Sequence, residues 1–308
     1  MILCLTPNPA IDRTLIIPRF VSGATHRATE VIVAAGGKGL NVARAIRTLG
    51  GEPVCMGFLA GHTGHWVAEL AQREGGRAAW TWIEGETRTC VIVAPTEAGE
   101  PSVIQELGPS VQKPDWDRLT TDVLREAAAL QYVCLCGSLP PGAAVEWFAA
   151  LLEALIYNHK QVWVDTSGAA LRAALTVPGV NVKVNAQEIE AALLAKPAPI
   201  EAAQLLRSRG VDSVAITLGR QGAVMATAEG EWHVQSSAMK AVSAVGSGDS
   251  FLAGLLTGLE AGMPAPEALR RAAAAGAANA LSIGGGRIAL GDFMQMLAQT
   301  SLQPDRHT

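Results

Sequence analysis

Short apolar runs alternate along this chain with longer segments rich in alanine and leucine, and this alternation restricts the fold more than any other feature. The apolar runs cover residues 54–59, 132–136, 162–164, 180–184 and 214–218. The alanine- and leucine-rich segments, which have a helical composition, cover residues 63–74, 118–130, 143–158, 186–195 and 200–208. Strands that are apolar on both faces and alternate with helices form parallel sheets that are covered on both sides. We therefore predict an α/β sandwich with a mainly parallel central sheet.

Four further segments do not fit this alternation, because they mix β-branched and polar residues with turn formers and have no crossover helices. They cover residues 13–17, 25–34, 87–94 and 101–107. We predict a small discontinuous antiparallel sheet, formed by two insertions at about 12–34 and 86–108, within a single domain over residues 1–308. Ligands of open α/β folds bind at the carboxyl ends of the strands, where such a sheet would act as a lid that excludes water. Its outer apolar face could pair with a second copy of the chain.

The composition excludes several classes of partner. The chain has 308 residues, a formal net charge of −4 and no block of lysine or arginine, which argues against nucleic acid or an anionic membrane as a partner. Its apolar start is too short and lacks the basic flank of a signal peptide, and no apolar stretch is long enough to span a bilayer. Five cysteines without metal-binding spacing are interpreted as reduced core residues. We expect a cytoplasmic protein.

A glycine-rich turn at residues 245–250 opens an apparent helix. The N–H groups of Gly246, Ser247 and Gly248 would face an anion at the positive end of that helix, and Asp249 would accept the proton of an attacking hydroxyl. Phosphoryl transfer needs mostly positioning and electrostatic stabilisation, which such a turn can supply. The simpler interpretation is an ordinary turn followed by a helix whose first turn carries an acid.

A second glycine-rich turn, two hundred residues earlier, also opens an apparent helix. Lys38 and Asn41 follow Gly36 and Gly37 there, so that a cation and an amide lie beside exposed N–H groups, a combination suited to sugar hydroxyls and a phosphate. A tight strand-to-helix turn is the alternative. Neither turn has the spacing of a Walker P-loop or of a dinucleotide fingerprint, which argues against hydride transfer.

Four motifs together resemble those of the ribokinase-like sugar kinases of the phosphofructokinase B family, over essentially the whole chain. They are Gly36-Gly37-Lys38-Gly39-x-Asn41-Val42-Ala43, Gly137-Ser138-Leu139-Pro140-Pro141-Gly142, Asn185-x-x-Glu188 and Gly246-x-Gly248-Asp249-Ser250. The runs at 6–12, 85–88 and 137–142 resemble the branch that acts on phosphorylated ketohexoses, which includes 1-phosphofructokinase, tagatose-6-phosphate kinase and the minor 6-phosphofructokinase. The resemblance implies a ribokinase-like α/β/α sandwich with a β lid.

The resemblance also implies roles for individual residues. The reacting groups would be Asp249 as base with Gly246, Ser247 and Gly248 as anion site. Substrate binding would involve Asp12, Gly36, Gly37 and Asn41 at the sugar, and Lys38, Arg88, Ser138 and Arg27 at the substrate's own phosphate. ATP would be bound by Lys183, Asn185, Thr217, Gly219, Gly222, Gly276 and Asn279. Asn185 and Glu188 would organise Mg²⁺ through water, although their spacing fits a helix capping box equally well.

The expected reaction is transfer of the γ-phosphoryl group of ATP to a primary hydroxyl of a ketohexose phosphate. Fructose 1-phosphate, which would give fructose 1,6-bisphosphate, is the first candidate, with tagatose 6-phosphate and fructose 6-phosphate as alternatives. Two other functions stay open at this point. One is a kinase for an unphosphorylated sugar, which would leave Lys38 and Arg88 without an anionic partner. The other is a non-catalytic nucleotide-binding protein.

Overall fold

The predicted apolar runs are buried strands of a large sheet in the computed structural model, which describes residues 1–98, 101–235 and 241–303. The strands of the described residues are β1 Ile2–Thr6, β2 Ala10–Arg19, β3 Glu30–Gly36, β4 Pro53–Leu59, β5 Arg77–Trp82, β6 Arg88–Ala98, β7 Ser102–Gln105, β8 Tyr132–Cys136, β9 Gln161–Asp165, β10 Asn181–Asn185, β11 Ser213–Thr217, β12 Ala223–Ala226, β13 Glu231–Gln235 and β14 Ser301–Gln303. The helices are α1 Lys38–Thr48, α2 Gly61–Arg73, α3 Lys113–Ala127, α4 Val145–Tyr157, α5 Gly168–Ala174, α6 Ala186–Leu193, α7 Pro199–Ser208, α8 Ser247–Glu260, α9 Ala265–Asn279 and α10 Leu290–Gln299.

The large sheet is mainly parallel, as predicted. Its order within the described residues is β14-β13-β12-β11-β10-β9-β8-β1-β4-β5, and the strands from β11 to β5 are all parallel. The three strands β12, β13 and β14 extend one edge in antiparallel pairings. The carboxyl ends of seven neighbouring strands therefore lie along one edge of the sheet.

Helices cover both faces of this sheet, because its central strands are apolar on both sides. In β1 the side chains of Ile2 and Cys4 join one core cluster, whereas Leu3 and Leu5 join the other, as the alternation of a pleated strand requires. The first cluster contains buried residues of α1, α2, α8, α9 and α10, and the second contains those of α3 to α7. The predicted three-layer α/β/α sandwich is confirmed.

The helix boundaries differ from the predicted ones where capping determines them. Helices α8 and α9 are separated by the turn Gly262-Met263-Pro264. Helix α3 begins at Lys113, five residues before the predicted start, because Gln112 and Asp115 form a reciprocal capping box and Pro114 occupies the first turn.

The predicted small second sheet, which is the proposed lid, has the strand order β3-β2-β6-β7. The outer pairs, β2 with β3 and β6 with β7, are antiparallel as predicted, whereas the middle pair, β2 with β6, is parallel. The prediction of antiparallel strands was wrong for that pair, because two separate insertions share no hairpin turn that would fix their relative direction. The lid contacts α2, where the Arg13 guanidinium lies 6.0 Å from the ring centroid of Trp66.

Among the described residues, no helix combines the length and the apolar character needed to cross a membrane. The five cysteines are free and buried.

Candidate active site

Two helices begin at the carboxyl edge of the large sheet with glycine N-caps and no side-chain cap. Helix α1 follows Gly37 with a φ of 107°, and α8 follows Gly246 with a φ of 80°, in the left-handed region that favours glycine. The first N–H groups of an α-helix have no partner within the helix, so an uncapped N-terminus is suited to an anion. The structure thus confirms that both predicted turns open helices.

Asp249 lies in the first turn of α8 and is only 6% exposed. Asn41 of α1 donates its amide Nδ2 to Asp249 Oδ2 at 2.8 Å. Burial and the nearby Asp165 carboxylate raise the pKa of Asp249 above its ordinary value, and the ammonium groups of Lys38 and Lys183 partly oppose that rise. A buried carboxylate with a raised pKa and one free oxygen is suited to accept a proton.

Asp165, at the carboxyl end of β9, was not predicted as a site residue. It is fully buried and accepts hydrogen bonds from Lys38 Nζ at 2.7 Å and from Lys183 Nζ at 2.8 Å. Burial alone would raise the pKa of Asp165, but these two ammonium groups hold it at about 2. Asp165 therefore positions both lysines. Its place directly after the predicted strand 162–164 was the signal that the sequence offered.

The ammonium group of Lys38 lies among acids. It is 3.4 Å from Glu188 Oε1 as well as being bonded to Asp165. Burial would lower its pKa, but the carboxylates of Asp165, Asp249 and Glu188 raise it above the ordinary value. No contact among the described residues joins Lys38 to Arg88, with which it was predicted to share the substrate's own phosphate.

The N-terminus of α8 fits a phosphate group. The Oγ atom of Ser247 is buried without a hydrogen-bond partner among the described residues. A Cβ at Gly248 would lie 2.6 Å from Lys183 Nζ, so the glycine allows that ammonium to approach the end of the helix. An unused hydroxyl, a helix N-terminus and a cation converge there, and together they suit a nucleotide phosphate.

Asn185 and Glu188, the predicted magnesium residues, form the capping box that was the alternative interpretation. Asn185 Oδ1 accepts from the Glu188 N–H at 2.8 Å, and Glu188 Oε2 accepts from the Asn185 N–H at 2.9 Å. The other carboxylate oxygen of Glu188 faces Lys38. No group of three or more His, Cys, Asp or Glu within residues 1–98, 101–235 and 241–303 is arranged as a metal site. Oxygen ligands with a partly hydrated ion are what Mg²⁺ prefers, and Glu188 fits that requirement.

Three of the predicted substrate-binding residues lie in the lid strands themselves, Asp12 in β2, Gly36 in β3 and Arg88 in β6. Burial raises the pKa of Asp12 to about 6, while Arg44 and Arg88 oppose that shift. A Cβ at Gly36 would lie 2.2 Å from the Asp12 carboxyl carbon, so only glycine leaves room for this carboxylate. Arg88 is 8% exposed, and it donates from Nε and Nη2 to the carbonyl of Asn8 and from Nη1 to that of Glu106. Each Nη nitrogen retains a second N–H.

The two remaining phosphate candidates are more exposed than Arg88. Ser138 is exposed, and its neighbour Gly137 lies against Lys38, since a Cβ there would be 3.8 Å from Lys38 Cβ. Arg27 is exposed in the loop between β2 and β3, and the structure brings it to none of the other site residues.

The nucleotide candidates fall into two groups. Thr217, Gly219 and Gly222 form the end of β11 and the turn after it, at the same edge of the sheet as Asn185. Gly276 and Asn279 of α9 instead support the turn before α8. Asn279 is fully buried and donates to the carbonyl of Val245 while it accepts from Ser250 Oγ.

The sequence reasoning also missed a glycine loop at residues 284–286. A Cβ at Gly285 would lie 2.4 Å from Asn41 Nδ2, and one at Gly246 would lie 2.3 Å from Gly285 Cα. The loop therefore fits between the two glycine-rich turns and encloses Asn41. Three consecutive glycines were the available signal.

Residues 6–289 match the pfkB family of carbohydrate kinases. The chain is 32% identical to 1-phosphofructokinase of Escherichia coli, with 97% of each chain covered, and 28% identical to tagatose-6-phosphate kinase of Staphylococcus epidermidis, with 97% and 98% covered. A crystal structure of phosphofructokinase-2 from Escherichia coli in complex with substrates and products superposes with a TM-score of 0.90 at 30% identity, covering 97% and 98%. The chain belongs to the pfkB family of carbohydrate kinases.

Proposed function

We propose that this chain transfers the γ-phosphoryl group of ATP to a primary hydroxyl of a ketohexose phosphate, with fructose 1-phosphate as the first candidate. The observation that carries the proposal is the buried Asp249 carboxylate at the uncapped N-terminus of α8, held by Asn41. A base and an anion site at one helix end are what phosphoryl transfer requires.

The residues of the chain would act as follows. Asp249 accepts the proton of the sugar hydroxyl while the hydroxyl oxygen bonds to the transferred phosphorus and the bond to ADP breaks. The N–H groups at the start of α8 and the Ser247 hydroxyl stabilise the charge that develops on the transferred phosphoryl oxygens. Lys183 and Lys38, both held by Asp165, add positive charge beside them.

Mg²⁺, when bound with ATP, neutralises phosphate charge. Glu188 and Asn185 would hold it through water, and Thr217, Gly219 and Gly222 would line the nucleotide site. Gly276 and Asn279 support the α8 turn in this proposal, because the Asn279 amide is already occupied on both sides.

The choice of a phosphorylated sugar rests on Arg88. Its guanidinium is buried beneath the lid, is fixed by two carbonyls and retains N–H donors, and arginine recognises phosphate through such paired donors. Asp12, Asn41, Gly36 and Gly37 would contact the sugar. Ser138 and Arg27 would join Arg88 at the substrate's phosphate. For Lys38 the contacts with Asp165 and Glu188 favour the transferred phosphoryl group instead.

The proposal includes a homodimer through the lid and a location in the cytoplasm. Support for the first is the exposed apolar side chains of the lid, and support for the second is five free cysteines, which suit a reducing compartment.

A coupled ADP-release assay with Mg·ATP tests the function. The acceptors are fructose 1-phosphate, fructose 6-phosphate, tagatose 6-phosphate, fructose and ribose, each with wild type and Asp249→Asn. We expect turnover of a phosphorylated ketose, with a loss of about 10² to 10⁴-fold or more in the variant and an intact fold, since positioned bases contribute that much. Turnover of free sugars alone would contradict the Arg88 role, and silence with every acceptor would favour a nucleotide-binding protein.

A further inference from the structure

Arg44, in the second turn of α1, has contacts that the reaction described above does not explain. Its Nη1 donates to Asn41 Oδ1 at 2.9 Å and to the carbonyl of Gly285 at 2.6 Å. Its Nη2 donates to the carbonyl of Ala35 at 2.6 Å and pairs with Glu74 Oε2 at 2.9 Å. The side chain is only 11% exposed, and these contacts fix both Nη nitrogens, whereas Nε is buried without a hydrogen-bond partner among the described residues.

These contacts determine which way the Asn41 amide faces. An arginine has only donors, so the atom that Asn41 turns toward Arg44 must be its oxygen. The NH₂ group of the amide must then point the opposite way, where it donates to Asp249 Oδ2 at 2.8 Å. A rotated amide would place its oxygen against the Asp249 carboxylate, two acceptors without a proton between them.

The space around Asn41 supports the same orientation. Asn41 is 7% exposed, and a Cβ at Gly285 would lie 2.4 Å from its Nδ2. The carbonyl of Gly285 is itself held by Arg44. The arginine therefore fixes both the amide oxygen and the loop that encloses the amide nitrogen.

We propose that Arg44 is a positioning residue of the phosphoryl-transfer site, which acts through Asn41 to keep one oxygen of Asp249 hydrogen-bonded and the other free for the sugar hydroxyl. The inference rests on the proposed function, because it concerns the base of that reaction. Arg44 touches neither the reacting atoms nor Asp249, so its effect on the base passes through the amide, while its charge also opposes the rise in the pKa of Asp12.

A purely structural role is the competing explanation, since Arg44 also joins β3, α1, the glycine loop and the residue after α2. Arg271 offers a matched control. It is a partly buried arginine of α9 that donates to Thr257 Oγ1 and to the carbonyl of Leu49, away from Asn41 and Asp249. Arg271→Met removes two hydrogen bonds of a partly buried arginine, against the three hydrogen bonds and one ion pair of Arg44, and it leaves the Asn41 amide in place.

The experiment is a double-mutant cycle on the full-length chain, with Arg44→Met, Asn41→Ala, the double variant and Arg271→Met. The kcat and both KM values are measured with Mg·ATP and the phosphorylated ketose that wild type turns over fastest, and Tm is measured for each protein. We expect Arg44→Met to lower kcat by about tenfold or more with KM for Mg·ATP within about twofold. The double variant should fall within about twofold of Asn41→Ala, because residues of one network are not additive. Arg271→Met should lower only Tm.

The proposal is overturned if the two losses in kcat multiply in the double variant, or if Arg44→Met loses Tm but keeps the wild-type kcat. If Arg44→Met does not accumulate as a folded protein, the same cycle is run with Arg44→Lys, which retains a donor and a charge. A wild type that turns over no phosphorylated ketose would instead contradict the proposed function, and this inference would fall with it.

Discussion

The pKa values of three aspartates of the site are shifted in different directions because the residues have different surroundings. Two ammonium groups hold the pKa of Asp165 at about 2, whereas burial raises that of Asp12 to about 6. Burial and the Asp165 carboxylate raise the pKa of Asp249, and two lysine ammonium groups partly oppose that rise. The permanent anion positions cations, and the two carboxyls with raised pKa values are those that the proposed function assigns to the sugar.

Asp12 gives a prediction for the pH dependence of substrate binding. Its pKa is raised, so it becomes neutral as the pH falls through about 6 and loses its strength as an acceptor for a sugar hydroxyl. We expect KM for the sugar phosphate to rise by about tenfold between pH 7 and pH 5, because the ionised fraction falls by about that factor one unit below the pKa.

The control for this prediction is Asp12→Asn. The substrate's own phosphate has a pKa of about 6 and titrates in the same way with both proteins, whereas the variant lacks the Asp12 carboxyl. Its KM should be higher than that of wild type at pH 7 and should change less toward pH 5. Parallel KM profiles for the two proteins would show that Asp12 does not titrate in this range.

Arg88 and Lys38 should differ in kinetics because they differ in surroundings. Arg88→Gln removes a group that binds charge present in the bound substrate, so KM for the sugar phosphate should rise by about tenfold or more with little change in kcat. Lys38→Met removes charge beside Asp165 and Glu188, so the loss should appear mainly in kcat. Steady-state kinetics of both variants test these two assignments. A rise in KM for the sugar phosphate without a change in kcat for Lys38→Met would show that Lys38 binds the substrate's own phosphate.

Sequence patterns found the residues that lie in glycine-rich turns, and missed those whose role depends on distant partners. Asp249 and Asn41 were each predicted within a motif. The hydrogen bond between these two residues, which are 208 residues apart in the chain, was not predicted. Asp165, Arg44 and Gly285 were missed, because each is ordinary in its local sequence. Their chemistry arises only when the fold brings together charges and carbonyls from separate elements.

At the scale of elements, the position of α8 depends on small residues at its interface with α9. A Cβ at Gly254 would lie 2.8 Å from Ala275 Cβ and 2.9 Å from the carbonyl oxygen of Arg271. Gly276 of α9 faces the start of α8, where a Cβ would be 3.0 Å from the Ser247 carbonyl oxygen. Close packing of these two helices therefore sets the height of the anion site above the sheet.

This packing predicts opposite effects for the same substitution in two helices. Gly254→Ala should destabilise the protein by about 1–3 kcal/mol, because the added methyl group meets backbone that cannot move easily. Gly291→Ala in α10 meets nothing within 4 Å, and should stabilise by up to about 1 kcal/mol through helix propensity. Urea unfolding measures the free energy of unfolding of both variants. Equal changes in the two variants would show that the interface between α8 and α9 can rearrange to accommodate the added methyl group.

The elements were predictable where the pattern was strong. Strands β8, β10 and β11 were predicted to within a residue, since each lies inside the sheet and has buried β-branched or other apolar residues at its centre, although β10 also contains Lys183. Strand β5 was missed because it lies at the sheet edge and begins with exposed residues, so its pattern resembles a loop.

For the whole molecule, the lid presents apolar side chains to solvent. Ile104 and Leu107 are 65% and 80% exposed. We expect wild type to be a dimer of about twice the 32.0 kDa chain mass, and Ile104→Asp to shift it toward the monomer. Light scattering after size exclusion measures both. The control is Leu290→Asp, which charges an apolar residue of similar exposure on α10, and a monomeric wild type would contradict the lid interface.

The separation of Asn41 from Asp249 along the chain has a consequence for biosynthesis. At about 5–20 residues per second, a ribosome needs about 10 to 40 s to add α8 after α1 has been made. By the end of that interval a nascent chain holds the strands from β1 to β13, yet the Asn41 amide lacks its acceptor and the glycine loop that encloses it. Nucleotide and sugar therefore cannot assist early folding, and the emerging sheet must remain soluble until the last fifth of the chain completes the site.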